Sequence, residues 1–210
     1  QAKKGAALGM NAGLGNLGVS TVQFLVPLVI TVGLFGALGG EPQTLVKDGV
    51  SSQVWLQNAG FIWVPFILAV TAAAWFGMND IASAKASFKD QAIIFKRKHN
   101  WIMCYLYTGT FGSFIGYSAA LPLLIKTSFP DIVDPVRFAF LGPLVGALTR
   151  PLGGWVADKL GGARVTMVNF MVMTLAVIGV LLFLPDEAGG GNFIGFLAMF
   201  LLLFATTGIG

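Results

Sequence analysis

The chain reads as an all-α membrane protein with six transmembrane helices, and three observations carry that reading. Hydrophobic residues make up 56% of the 210 positions and charged ones only 10%, with a mean hydropathy of +0.80, against roughly 25% charged residues in soluble domains. Apolar stretches long enough to cross a hydrocarbon core of roughly 30 Å as helix recur along the whole length. The charges fall between those stretches, more on one side than the other.

The first span runs from Leu8 to Leu38. Helical spacing in GAALGMNAGLGNLGVSTVQF places Gly5, Gly9, Gly13, Asn16, Ser20 and Gln23 on one stripe. Small residues let a neighbouring backbone approach closely, and polar ones inside a membrane need an internal partner or a cavity. The glycines therefore read as a helix contact. Asn16 reads equally as an interhelical partner or as a donor to a substrate oxygen. A second span follows from Val54 to Gly77.

The polar stretch NDIASAKASFKDQAIIFKRKHN, residues 79–100, carries the cluster of like charges and the single histidine, His99. It reads as a solvated cytoplasmic linker with an amphipathic portion, joining two helical bundles, in preference to a membrane-surface segment. With no carboxylate or cysteine close in sequence, His99 receives no catalytic or metal role.

The third span, Trp101 to Ile125, divides by face: Tyr107, Phe111, Phe114 and Ser118 on one side, Gly109, Gly112 and Gly116 on the other. The glycine side is expected to pack against a neighbouring helix, which leaves the aromatic side to lipid or to a pocket. The Tyr107 hydroxyl, which hydrocarbon cannot satisfy, favours a pocket lined by Tyr107 and Phe111. Cys104, the one cysteine, has no intrachain partner and is expected to be a small core residue.

The fourth span is Val136 to Trp155, the fifth Val165 to Leu184 and the sixth Phe193 to Gly210. The chain opens on Gln1 without a visible signal peptide and stops in TTGIG without a polar flank, so both ends are expected to be cut from a longer protein.

Six crossings put nine basic residues on one side, Lys3, Lys4, Lys85, Lys89, Lys96, Arg97, Lys98, Lys159 and Arg164, and three on the other, Lys47, Lys126 and Arg137. The nine-residue side is cytoplasmic by the positive-inside rule. Topology thus accounts for the sequence pI of about 9.4 without nucleic acid. The thirteenth basic residue, Arg150, lies within the fourth span.

A charge near mid-depth costs at least about 2.5 to 3.5 kcal/mol on insertion scales, so it faces the interior and marks a site. Gly142, Pro143, Gly146 and Gly154 share its face and would give it room. Glu41, Asp48, Asp80, Asp90, Asp131, Asp134, Asp158, Asp186 and Glu187 all fall in loops or at span ends. A guanidinium without an internal acid points to a bound anion as its counter-ion, and its planar fork suits a planar or bidentate oxyanion. No metal-ligand cluster, nucleophile with a neighbouring base, or phosphate loop supports enzymatic chemistry, and no cofactor is implied.

After Arg150 comes GGWVADKLGGAR, which resembles the loop motif of the major facilitator superfamily: Gly154, Asp158, Lys159, Gly161 and Arg164, with Gly162 or Ala163 where the pattern has a second base. AGLGNLGVSTVQFLVPLVI resembles the fifth-span nitrate signature of the nitrate/nitrite porter family. TFGSFIGYSAALPLL and FLGPLVGALTRPLGGWVADKLGGARVT resemble that family's seventh and eighth spans.

The resemblance implies a partial superfamily fold, spans five to ten of twelve: residues 1–77 the last two spans of the N-terminal bundle, 78–100 the linker, and 101–210 the first four spans of the C-terminal bundle. It places Arg150, Tyr107, Phe111 and Asn16 in the anion site, completed by a second arginine from the family's second span and a second signature from its eleventh, neither of which is present here. Asp158 with Arg164 would form a cytoplasmic gate or latch, and Gly9, Gly13 and Gly154 would let helices slide. The implied function is exchange of nitrate and nitrite across a bacterial-type cytoplasmic membrane by alternating access. Another small-anion carrier, or an anion-binding membrane subunit that does not transport, remains as the alternative.

Overall fold

The computed structural model describes the chain except residues 1–2, 48, 80–86, 132–133 and 187–189. Asp48, Asp80, Lys85 and Glu187 of the loop charges, and part of the 78–100 linker, lie outside the described residues. The described elements are, in order, α1 (Lys4–Val29), a 3-10 turn (Gly36–Gly39), β1 (Gln43–Lys47), β2 (Val50–Val54), α2 (Asn58–Phe61), α3 (Trp63–Gly77), α4 (Phe88–Gln91), a 3-10 segment (Ala92–Lys96), α5 (Lys98–Ser128), α6 (Val136–Ala139), α7 (Leu141–Leu160), α8 (Gly162–Phe183) and α9 (Phe193–Ile209). Two compact units emerge: residues 1–24 with 101–210, and residues 25–100.

Each expected span contains a helix. Lys4–Val29, Asn58–Gly77, Lys98–Ser128 and Gly162–Phe183 are long and apolar enough to cross a membrane. The apolar α9 is shorter, at 17 residues, while α7 has 20 residues and carries Arg150, Asp158 and Lys159.

In the 25–100 unit the first span ends at Val29 rather than Leu38. Gly36 and Gly40 adopt φ of +50° and +71°, a region that ends a helix and favours glycine. Asn58, fully buried, donates from Nδ2 to the Val29 and Val32 carbonyls at 3.1 and 2.7 Å. The Trp55 N–H donates to the Ile30 carbonyl at 2.7 Å. These donors satisfy the orphan carbonyls that any helix end exposes.

The second span likewise starts at Asn58, because Val54 closes an antiparallel hairpin in which Lys47 pairs with Val50. Asp48–Gly49 between β-prone runs is a hairpin signal, and Gly49 has φ +79°.

In the other unit α9 packs against both α7 and α8. Its Phe196, Phe200, Leu203 and Phe204 form a core with Phe114, Leu121 and Ile125 of α5 and Met173, Ala176 and Val180 of α8. Glycines set the spacing: a Cβ on Gly142 would run into the Phe204 ring, and one on Gly153 would meet the Ile209 backbone at 2.7 Å. The fourth span breaks at Phe140 between α6 and α7, and Pro143 occupies the first turn of α7, where a missing N–H is tolerated.

Two expectations are corrected in this unit. The glycine side of α5 does not pack as expected: nothing described stands within 4 Å of a Cβ placed on Gly112 or Gly116, and Gly109 meets only the Phe170 ring edge at 4.0 Å. Phe114, on the aromatic side, is instead 1% exposed, because its neighbours α7 and α9 supply the matching core. Cys104 is exposed rather than in the core, since it sits on the outer face of α5.

Candidate anion site

Arg150 sits midway along α7, 8% exposed. Its guanidinium carbon lies 5.5 Å from the Phe111 ring centroid and 5.7 Å from that of Phe114, so two faces of α5 aromatics shield the cation from lipid. Tyr107, Phe111 and Phe114 form a continuous column of nearly parallel rings, with centroids 5.4 and 6.2 Å apart and interplanar angles of 5° and 14°.

The third neighbour is Asn16 of α1. A guanidinium offers donors only, so the amide oxygen must face it. In that orientation Asn16 Oδ1 accepts from Arg150 Nε at 2.8 Å and Nη2 at 3.3 Å. This occupies one edge of the fork and leaves the Nη1–Nη2 edge available for a bidentate oxyanion. Arg137 pairs with Asp134 at 3.0 Å on the surface, and no ion pair among the described residues involves Arg150.

What brings Asn16 to Arg150 is a backbone seam between α1 and α7. A Cβ on Gly9 would stand 2.6 Å from the Arg150 carbonyl oxygen, one on Gly13 2.7 Å from that of Ala147, and one on Gly154 would collide with the Gly5 carbonyl. Pro151 lacks the N–H that would engage the Ala147 carbonyl within α7. Gly13 approaches that same oxygen so closely that a side chain there would have no room.

The seam is tied at one end by Asp158, whose Oδ1 and Oδ2 accept from the Gly5 and Ala6 N–H groups at 2.8 and 2.9 Å. A carboxylate on the first free N–H groups of a helix also meets the positive end of its dipole. Arg164, expected as the partner of Asp158, forms no ion pair with it. Gly161, at φ +88°, turns the chain between α7 and α8, and Arg164 lines an apolar cavity of about 390 Å³ with Leu160, Val165 and Val168.

Beyond Asn16, Gln23 Nε2 donates to the Ser118 carbonyl at 2.9 Å, joining α1 to α5. Helical spacing puts Gln23 on this face, but its partner is a main-chain oxygen that no side-chain pattern reveals. Phe114 joins the site for a reason the sequence does not carry: an aromatic position does not disclose which ring lies under a cation. Tyr107 is brought to the ring column, yet is 51% exposed, with its hydroxyl unbonded among the described residues.

Helices fitted backbone to backbone by glycine, and an acid four residues after Gly154 that holds another helix's start, fit the major facilitator superfamily loop motif that the sequence resembles. No protein-family profile matches the chain. It is 52% identical, over its whole length, to the nitrate/nitrite transporter NarU of Escherichia coli K12, of which it covers 44%. It is 50% identical to NarU of Salmonella typhimurium LT2, again covering 44%, and 46% identical over 99% of its length to the probable nitrate/nitrite antiporter NarK2 of Thermus thermophilus, covering 47%. These relatives belong to the nitrate/nitrite porter family of that superfamily, and the chain is similar to them over its full length. It spans a little under half the length of these relatives.

Proposed function

We propose that this chain is the central part of a secondary transporter that moves nitrate and nitrite across the bacterial cytoplasmic membrane by exchange. The observation that carries the reading is Arg150: buried, without an acidic partner among the described residues, stacked on Phe111 and Phe114, and held by Asn16 on one edge only. A planar monoanion matches that geometry. Two of its oxygens fit the open Nη1–Nη2 edge, and its face fits the ring column. The names of the relatives agree with this substrate class.

In this reading residues 1–77 belong to the N-terminal bundle, 78–100 to the linker and 101–210 to the C-terminal bundle. The α1–α7 seam is then a bundle interface, with Arg150 and Asn16 on opposite walls. Tyr107 donates a hydrogen bond to the anion from the outer end of the ring column. An arginine from a span outside this chain completes the clamp.

Asp158 acts as a latch through the N-terminus of α1, and breaking its two hydrogen bonds lets the seam open on the cytoplasmic side. Arg164 contributes positive charge to the same loop. Gly9, Gly13 and Gly154 let the walls part and re-form without interlocked side chains to disengage.

The test is counterflow with the full-length protein in proteoliposomes. Vesicles loaded with nitrite should take up labelled nitrate, and empty vesicles should take up far less. Saturable nitrate binding without exchange would point to the non-transporting reading, and neither binding nor exchange would overturn the substrate assignment.

A further inference from the structure

The linker before α5 carries a feature that a solvated connector does not need. Phe88, Ile93 and Ile94 are 82%, 58% and 47% exposed. Around them stand Lys89, Lys96, Arg97 and Lys98, against a single acid, Asp90, between residues 87 and 98. Exposed bulky apolar groups interleaved with cations are the composition of a segment that lies in a membrane interface.

Chain geometry keeps the end of this segment near the membrane. Lys98 opens α5, so Ile94 lies within roughly 14 Å of the start of a membrane-crossing helix at full extension. At the other end of the linker α3 finishes with Trp75 and Phe76, both exposed, and Met78 follows. Aromatic residues of this kind gather at the headgroup level.

The backbone is also prepared for a medium poorer in water. Ser87 Oγ accepts from the Lys89 N–H, the Asp90 and Gln91 N–H groups donate to the Ser87 carbonyl, and Arg97 N–H donates to Ile94.

We infer that residues 88–98 form a membrane-surface anchor for anionic phospholipid. Phe88, Ile93 and Ile94 enter the boundary between headgroups and acyl chains, while Lys89, Lys96, Arg97 and Lys98 reach back to the lipid phosphates. The nine-residue side of the topology is cytoplasmic, and anionic lipid is the surface that linker would meet. This inference rests on the membrane topology and is independent of which anion the protein carries.

The test uses the full-length protein with its native cysteines replaced and one environment-sensitive label at Phe88→Cys, Ile94→Cys or Asp90→Cys. Each variant is placed in nanodiscs of phosphatidylcholine with or without phosphatidylglycerol. Brominated acyl chains should quench the labels at 88 and 94 several-fold more than the label at 90, and phosphatidylglycerol should strengthen that quenching.

In a Lys89→Gln, Lys96→Gln, Arg97→Gln variant the phosphatidylglycerol effect should fall several-fold while thermal unfolding stays unchanged. Equal quenching at all three positions would overturn the proposal, as would preferential quenching by aqueous iodide. Protection from both quenchers would do the same, because it would mean protein covers the segment.

Discussion

Helices α1 and α5 each carry a stripe of three glycines at helical spacing, and the two stripes meet opposite fates. Gly5, Gly9 and Gly13 lie directly against the backbone of α7 at Gly154, Arg150 and Ala147, whereas Gly112 and Gly116 have nothing described within reach. Glycine spacing permits close approach but does not cause it. On α1 the same face adds Asn16 and Gln23, each with a partner on a neighbouring helix, and α1 begins on the Asp158 carboxylate. On α5 the polar and aromatic residues turn the other way, and burial follows them.

That contrast can be broken by adding side chains. Gly9→Leu should be the most damaging change, since its Cβ alone would stand 2.6 Å from the Arg150 carbonyl. Overpacking of this kind costs about 3 kcal/mol, read as loss of thermal stability of the full-length protein together with loss of anion binding as Asn16 is pushed off Arg150. Parent-like stability would mean that the seam is not a persistent contact.

Asp158→Ala should come next, at about 0.5 to 2 kcal/mol for the loss of a helix cap. It should also expose the start of α1 to faster amide exchange at Gly5 and Ala6. Unchanged exchange there would remove Asp158 from the latch.

Gly116→Ala should have the smallest effect and the opposite sign. With open space around it, alanine should stabilise α5 by about 0.5 to 1 kcal/mol through backbone entropy. Destabilisation as large as that of Gly9→Leu would show that both stripes are packed in the full-length protein and would dissolve the contrast.

The readable and unreadable parts of this molecule divide along a physical line. Helices were legible because hydropathy and length report on membrane crossing, and Arg150 was legible because it was the one base that loop placement did not explain. Helix ends were less so: the apolar run through Leu38 conceals a stop that depends on Asn58, 29 residues beyond Val29. The hairpin signal at Asp48–Gly49 lies in the stretch between the first two spans, where span reading looks only for a loop.

At the site, the stripe puts Asn16 on the face of α1 that meets α7, yet its partner could not be read. Whether an amide faces a ligand or an arginine depends on a second helix. Asp158 illustrates the same limit, because its acceptors bind main-chain N–H groups, which no residue pattern announces.

The central claim is that Arg150 offers an open, planar edge to an anion, and Arg150→Lys tests it most directly. Lysine keeps the charge at that depth but has neither the fork nor the stacking plane. Nitrate affinity of the purified full-length variant, measured by calorimetry, should fall by more than tenfold while its thermal unfolding without nitrate stays close to that of the parent. Parent-like affinity in Arg150→Lys would contradict the account.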